Sequence, residues 1–261
     1  MSKPIVIIPT YNERENIQPI IEAVFALPVD FHVLIVDDSS PDGTAEIVED
    51  LQDIYNIRDN RLQLMKRPGK QGLGTAYIAG FQYAIKKNYD YILEMDADFS
   101  HDPKDLVRLY NACYRDGADL SIGSRYATGV NVVNWPIGRV LISYFASSYV
   151  RTITSMPIKD TTAGFVCYRR EVLETIHLNN IKFIGYAFQI EMKFLAWKYG
   201  FKLKEVPIIF TDRTRGESKM SAGIFKEAFF GVLYMTINSW FRKYIPAVPY
   251  KEAPSLTEAG F

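Results

Sequence analysis

An α/β protein, with a mostly parallel central sheet flanked by helices, is the fold class the sequence predicts. Three observations carry it. Short, β-rich apolar runs alternate with segments of helical period through the first half of the chain. The first two runs, near residues 5–9 and 32–36, are almost wholly apolar, as strands buried on both faces must be. A chain of 261 residues, 48% of them hydrophobic, can bury a sizeable core and is no disordered tail.

Taken in order, strands are expected at Ile5–Pro9, His32–Val36, Leu62–Lys66, Tyr91–Met95 and Asp119–Gly123. Between them Glu13–Leu27, Thr44–Ile54, Gly72–Lys86 and Pro103–Asp116 carry helical spacing, two of them opened by Pro or Asp/Ser caps. After residue 125 the alternation weakens into a loop and helix over Trp135–Arg151, a strand at Phe165–Tyr168, a helix at Tyr186–Tyr199 and a strand at Lys204–Phe210. Residues 220–245 form one more candidate helix, with Phe225, Phe229, Val232, Thr236, Trp240 and Tyr244 along one stripe. Phe230 and Tyr234 lie off that stripe, so the helix is apolar nearly all round. It reads either as a core-packing helix or as one for a protein interface or a bilayer headgroup boundary. The expected organisation is one main domain over residues 1–219, this amphipathic helix over 220–245, and an unstructured tail over 246–261 containing three prolines.

Equal numbers of basic and acidic side chains, 30 of each, remove any case for non-specific nucleic-acid binding from bulk charge. The zero conceals a gradient: up to Arg125 there are 13 basic against 20 acidic residues, and beyond it 17 against 10. An acidic front half suits a metal site and a basic back half an anionic partner. Cys113 and Cys167 stand alone, with no CxxC, so neither a disulfide framework nor a Cys/His zinc site is supported, and a reduced, cytosolic setting is expected. No signal peptide is expected at the N-terminus. The longest charge-free C-terminal stretch, Ala228–Phe241, is 14 residues, against the roughly 18 to 20 a spanning helix requires.

The sharpest chemical feature is Met95-Asp96-Ala97-Asp98-Phe99-Ser100-His101, at the end of an expected strand. Open α/β sheets bind ligands at the carboxyl ends of their strands. An Asp-x-Asp on such a loop can turn both carboxylates to one hard cation, Mg²⁺ or Mn²⁺, shared with substrate phosphates. Asp102, before Pro103, is expected to cap the next helix instead. Asp37 and Asp38 end the second strand in the same way, while Ser40, Pro41 and Asp42 beside them are ordinary helix-start chemistry. Pro9-Thr10-Tyr11-Asn12-Glu13 follows the first strand, so three loops converge on one sheet edge and form a plausible nucleotide pocket. The glycines of Lys70-Gln71-Gly72-Leu73-Gly74 could admit a phosphate at a helix N-terminus. Neither a GxGxxG after the first strand nor a GxxxxGK[ST] loop occurs, which argues against dehydrogenase and P-loop chemistry.

These motifs, together with Gly123-Ser124-Arg125-Tyr126, Asp160-x-Thr162-x-Gly164-Phe165, Phe188-Gln189-Ile190-Glu191 and Arg213-x-x-Gly216-x-Ser218-Lys219-Met220, strongly resemble the dolichol-phosphate (polyprenol-phosphate) mannose synthases. Those are inverting, metal-dependent family 2 glycosyltransferases with the GT-A nucleotide-diphospho-sugar transferase fold. The resemblance runs in order from residue 5 to about residue 220 and implies transfer of mannose from GDP-mannose to a polyprenyl phosphate, giving the β-mannosyl phosphate and GDP. It implies that Pro9, Tyr11, Glu13, Asp38, Lys70, Gly72, Asp96, Gln189 and Glu191 serve the donor. Asp96 and Asp98 would hold Mg²⁺ or Mn²⁺, with Ser100 as a third, neutral ligand, directly or through water. Arg125, Arg139 and Ser143 would meet the acceptor phosphate. Arg213 and Lys219 would close over the diphosphate, so that Asp98, Arg125, Arg213 and Lys219 carry the catalysis.

A phosphate monoester is already anionic near neutrality, its second pKa being about 6, so the acceptor needs positioning more than a strong base. His101, beside the Asp-x-Asp, is therefore not assigned as a base. The implied location is cytoplasmic, peripheral on the inner face of the cell membrane, with room for a separate membrane protein as partner. The alternatives are a polyprenyl-phosphate glucosyltransferase using UDP-glucose and a non-catalytic nucleotide-sugar-binding subunit of a membrane assembly.

Overall fold

The computed structural model describes residues 2–185, 187–212 and 222–245, the last stretch with side chains from residue 229. Its first half is the expected alternation: β1 (Pro4–Thr10), α1 (Arg14–Phe25), β2 (His32–Asp37), α2 (Thr44–Tyr55), β3 (Leu62–Lys66), α3 (Leu73–Lys86), β4 (Tyr91–Glu94), α4 (Asp105–Tyr114) and β5 (Leu120–Ser124). There follow β6 (Val132–Val133), α5 (Ile137–Thr154), β7 (Val166–Arg169), α6 (Arg170–Ile176), α7 (Ala187–Lys198), β8 (Leu203–Pro207), β9 (Phe210–Thr211) and α8 (Ala222–Trp240).

Among the described residues the main sheet has seven strands in the order β3-β2-β1-β4-β7-β5-β8. The order reverses beside β1, the crevice where such sheets bind ligands. Only β7 runs against its neighbours, pairing antiparallel with both β4 and β5. Parallel strands deliver the residues that follow them to the carboxyl edge. The reversed β7 delivers those that precede it, so Asp160–Phe165 reach the same edge as the loops after β4 and β5.

Alternation along β1 divides the interior in two. Ile5 and Ile7 join Leu34, Tyr77, Phe81, Tyr168, Phe188 and Phe194 on one face. Val6 and Ile8 join Ile17, Ile21, Val48, Leu106 and Leu109 from α1, α2 and α4 on the other. A strand feeding both layers has no room for polar alternation, which is why the first two read as unbroken apolar runs.

Three expectations are corrected. The single strand expected at Lys204–Phe210 is two, because the chain leaves the main sheet after Pro207 and β9 pairs in parallel with β6 in a separate ladder, Val132 opposite Phe210 and Val133 opposite Thr211. The short helix α6, which follows β7 without a loop, was not anticipated. The C-terminal helix stops at Trp240 rather than running to residue 245; its first expected residues and Phe225's side chain, like the tail over 246–261, lie outside the described residues. Both cysteines are buried and free. Among the described residues no helix is long and apolar enough to cross a membrane.

Candidate active site

The Asp-x-Asp turn leaves β4 after Glu94, at the strand edge beside the reversal in order. Asp96 and Asp98 are both half-buried there. The Ser100 N–H donates to Asp98 Oδ1 at 3.0 Å, and Phe99 between them is left-handed at φ 57°. A bulky residue held at positive φ is a local cost that surrounding structure must impose. That structure includes β9, since the Thr211 N–H donates to Ser100 O at 3.2 Å. Tyr77 Oη lies 3.4 Å from Asp96 Oδ1.

Can these residues hold a divalent cation? The donors are hard carboxylate oxygens, and Ser100 Oγ is buried without a hydrogen-bond partner. Among the described residues no three His, Cys, Asp or Glu side chains gather as a cation site. A pair of carboxylates with a neutral hydroxyl nearby is the sparse set that Mg²⁺ or Mn²⁺ takes when substrate phosphates complete the coordination, so the residues fit.

His101 is buried and stacks on Phe165 at 4.6 Å between ring centroids, with its edge towards Phe210. Burial pushes its pKa down to about 4, against the pull of Asp98, so the imidazole is neutral near pH 7. Asp102 accepts the Lys104 N–H at 3.0 Å within the turn that precedes α4; the N-cap of the helix itself is Lys104, so the cap expected of Asp102 is not made on α4.

At the ends of β2 and β3, Asp38 is held by Arg67, whose Nε and Nη2 donate to its two oxygens at 2.6 and 2.9 Å. Arg67 Nη1 also donates to Thr75 Oγ1, and Thr75 Oγ1 donates to Gly72 O, joining the end of β3 to the start of α3. Arg67 escaped the sequence reading, although a cation directly after an expected strand at the site edge was the available signal. Lys70 Nζ stands 5.0 Å from the Tyr11 ring centroid. Pro9 ends the apolar part of β1, and Glu13 opens α1, its Oε2 accepting from Asn16 Nδ2. Asp37 is used structurally, accepting from Thr10 Oγ1 and from the N–H and Oγ of Ser40.

The tightness of the Gly72–Gly74 turn is set by the protein itself. Gly72 sits at φ 99°, where a Cβ would meet Ile184 O at 3.2 Å; a Cβ on Gly74 would lie 2.9 Å from the Phe188 ring. Gln189 and Glu191 are buried. Gln189 Nε2 donates to Glu94 Oε2 at 2.5 Å, and Glu191 Oε2 accepts the backbone N–H groups of Lys182 and Phe183. Both are therefore engaged inside the fold, Gln189 with the end of β4 and Glu191 with the segment that precedes α7.

The basic side is built from the stretch after β5. Arg125 is buried, and its N–H, Nε and Nη2 all donate to the Asp160 carboxylate, at 2.9, 2.7 and 2.6 Å. Burial alone would raise the Asp160 pKa, but the Arg125 guanidinium and its hydrogen bonds hold it below the usual carboxylate value. Tyr126, Trp135 and Phe210 surround that guanidinium, with ring centroids 5.3, 5.6 and 5.8 Å away. Glu205 on β8, also missed in the sequence, accepts from Ser124 Oγ and from the N–H groups of Lys159 and Asp160.

Arg139, in the first turn of α5, lies over Trp135 at 4.2 Å and pairs with Asp212 at 2.7 Å. Tyr126 Oη donates to Ser143 Oγ one turn further along. Arg213 and Lys219 lie outside the described residues. Buried polar atoms without a partner concentrate here: among the described residues, Ser100 Oγ, His101 Nδ1, Trp135 Nε1 and Thr161 Oγ1 are four of six. Buried polar groups in folded proteins are nearly always satisfied, so such a cluster marks a place built for polar contacts.

Comparison with known proteins agrees with this geometry. A polyprenol monophosphomannose synthase of Mycolicibacterium smegmatis is 46% identical over 231 residues, covering 88% of this chain and 85% of that protein. An undecaprenyl-phosphate mannosyltransferase of Micrococcus luteus is 43% identical over 226 residues, covering 87% and 90%. Glucosyl-3-phosphoglycerate synthase from Mycobacterium tuberculosis, crystallised with Mn²⁺, UDP-glucose and phosphoglyceric acid, superposes with a TM-score of 0.63 at 16% identity, over 94% of this chain and 81% of that one. S. aureus TarS 1–349 with UDP-GlcNAc gives a TM-score of 0.60 at 20% identity, over 96% and 68%. The fold is thus the GT-A arrangement of mostly parallel sheet and flanking helices. Residues 5–177 match the family described as Glycosyl transferase family 2, to which this chain belongs.

Proposed function

We propose that this glycosyltransferase moves mannose from GDP-mannose to the phosphate of a polyprenyl lipid, with inversion, releasing GDP. The observation that carries the reading is one sheet edge on which an Asp-x-Asp turn and a pair of arginines are tied together by β9. Thr211 bonds the turn at Ser100, and Phe210 lies against both His101 and Arg125. Two curated relatives above 40% identity are named for mannosyl or phosphomannose transfer involving a polyprenol or undecaprenyl phosphate.

In this reading Tyr11, Glu13 and Asp38, with Pro9, Lys70 and Gly72, line the nucleoside side, and Gln189 and Glu191 back the sugar. Asp96 and Asp98, with Ser100, hold Mg²⁺ or Mn²⁺, which when bound would supply Lewis-acid neutralisation of the departing diphosphate. Arg125, Arg139 and Ser143 receive the lipid phosphate and orient one of its oxygens towards the anomeric carbon, on the face opposite the leaving group. That oxygen is already anionic, so no base is required, consistent with a His101 imidazole buried against Phe165. Arg213 and Lys219 neutralise charge on the donor phosphates. Arginine suits these roles because its planar fork bonds phosphate oxygens in pairs.

The lipid substrate implies a peripheral site at the inner face of the cell membrane. Exposed Ile137, Leu141, Phe145, Phe230, Trp240 and Phe241 on and just after α5 and α8 support attachment there.

Product analysis with GDP-mannose and UDP-glucose against a short polyprenyl phosphate tests the donor, and transfer from UDP-glucose alone overturns the mannose reading. Asp98→Ala is expected to abolish metal-dependent turnover, at least a thousandfold in kcat, while leaving the fold intact by circular dichroism.

A further inference from the structure

Arg125 and Arg139 both lie against the Trp135 ring, 5.6 and 4.2 Å from its centroid, yet their carboxylate partners are of different kinds. Asp160 is wholly buried and takes Arg125 through two guanidinium nitrogens and the backbone N–H. Asp212 takes Arg139 Nη1 through Oδ1, and both side chains are 25% exposed. The first commits Nε and Nη2 of Arg125 to a carboxylate that water does not reach. The second is partly solvated, the kind of pair whose net strength is small and which another anion can break.

Asp212 is nonetheless placed rigidly. Its N–H donates to Val133 O at 3.0 Å, directly after β9, and Phe210 on that strand packs its ring 5.2 Å from Trp135. Arg139 is fixed from the other side, its N–H bonded to Pro136 O and its guanidinium lying on the same indole. A carboxylate is therefore tethered where an incoming anion would bind, and a tethered group competes at high effective concentration.

We propose that Asp212 is an internal competitor for the acceptor phosphate at Arg139 and thereby sets which anions the site accepts. This rests on the reading of Arg139 as an acceptor-phosphate residue. A phosphate monoester brings nearly two charges and three strong acceptor oxygens, enough to take the guanidinium from a single carboxylate oxygen. A carboxylate in free solution brings no more than Asp212 already does. Arg139 is thus screened from carboxylate anions and released to a phosphate group. Asp212 is a positioning residue, acting through Arg139 and making no contact with the substrate.

The test uses the full-length protein with GDP-mannose, a short polyprenyl phosphate and inorganic phosphate as a competing probe. Asp212→Asn is expected to lower both the acceptor KM and the inhibition constant of inorganic phosphate by about twofold to fivefold, the worth of a partly exposed ion pair. The kcat should hold nearly constant, and the effect should vanish in an Arg139→Ala background. A gain in affinity cannot come from damaged folding, and Asp212→Ser should give the same direction. An unchanged or raised acceptor KM in both Asp212 variants, with Arg139→Ala still raising it, overturns the competition. An acceptor KM untouched by Arg139→Ala overturns the underlying assignment of Arg139 instead.

Discussion

Lys193 carries an ammonium group where its side chain is fully buried. Its Nζ donates to Ala163 O at 2.6 Å, to Gln189 O at 3.0 Å and to Gln189 Oε1 at 3.3 Å, so it holds up the loop that carries Asp160 and Thr162. Burial pushes its pKa down to about 8, against the pull of Glu94 and Asp160. Folding therefore strips a proton from Lys193 between pH 8 and the ordinary lysine value of 10.5. The unfolded chain binds more protons in that window, so the contribution of Lys193 to stability rises with pH there and is constant below it. Urea unfolding of wild type and Lys193→Met should show the difference moving in the wild type's favour by about 2 kcal/mol from pH 8 to pH 10. A flat difference would mean that the amine titrates normally. Sequence reading missed Lys193, because a lysine inside Phe188–Phe194 looks like a solvated helix face. Glu94 was hidden for the matching reason: burial lifts its carboxyl to about 8, and an acid at a strand end looks like turn chemistry. By contrast Asp96 and Asp98 stood out from the residues themselves, because they follow directly on an expected strand, whereas Arg139 and Ser143 were named only through the resemblance.

The fit between α3 and its neighbours is decided at glycines. A Cβ on Gly80 would lie 2.7 Å from Ile7 Cγ2, so α3 rests on β1 at nearly backbone distance. Gly80→Ala should lower stability by about 1–3 kcal/mol through overpacking, read as a fall in Tm of several degrees by calorimetry. In the first half of the chain, five strands and four helices fell within a few residues of expectation, since each carries a clear hydrophobic period. What failed has a common cause. A two-residue strand such as β6 or β9 has no period to detect, and a helix such as α6 that begins on the residue directly after a strand has no loop to announce it. The antiparallel course of β7 was equally invisible, because hydrophobic pattern records burial and not direction.

At the scale of the whole molecule, apolar exposure is concentrated on α5 and α8. These helices touch through Tyr149, stacked on Phe229 at 4.8 Å, while Phe145, Trp240 and Phe241 are 63%, 72% and 84% exposed. Soluble surfaces rarely leave so many large apolar groups together without a partner. Replacing Trp240 and Phe241 by serine should lower the partition constant onto anionic lipid vesicles, read by flotation, by at least about a hundredfold, since each buried aromatic contributes on the order of 1.5–3 kcal/mol, while turnover on a detergent-dispersed short acceptor stays within about twofold. Unchanged flotation would remove α8 as the attachment surface.

The reversed strand has one more consequence. Because β5 leads out of the carboxyl edge and β7 leads back in from it, residues 125–165 begin and end at the same place, and the Arg125–Asp160 clamp fastens the two ends together. Between them β6, through its ladder with β9, and the buried Val150, Met156 and Ile158 tie the stretch to the rest of the fold, and the exposed face of α5 is left unconstrained by the sheet. Such a stretch is an exchangeable cassette: α5, with the residues proposed to meet the acceptor, can be replaced or resized while β1 to β4 and the loops after them stay as they are. The same chain architecture can therefore diversify what receives the sugar without renegotiating what donates it.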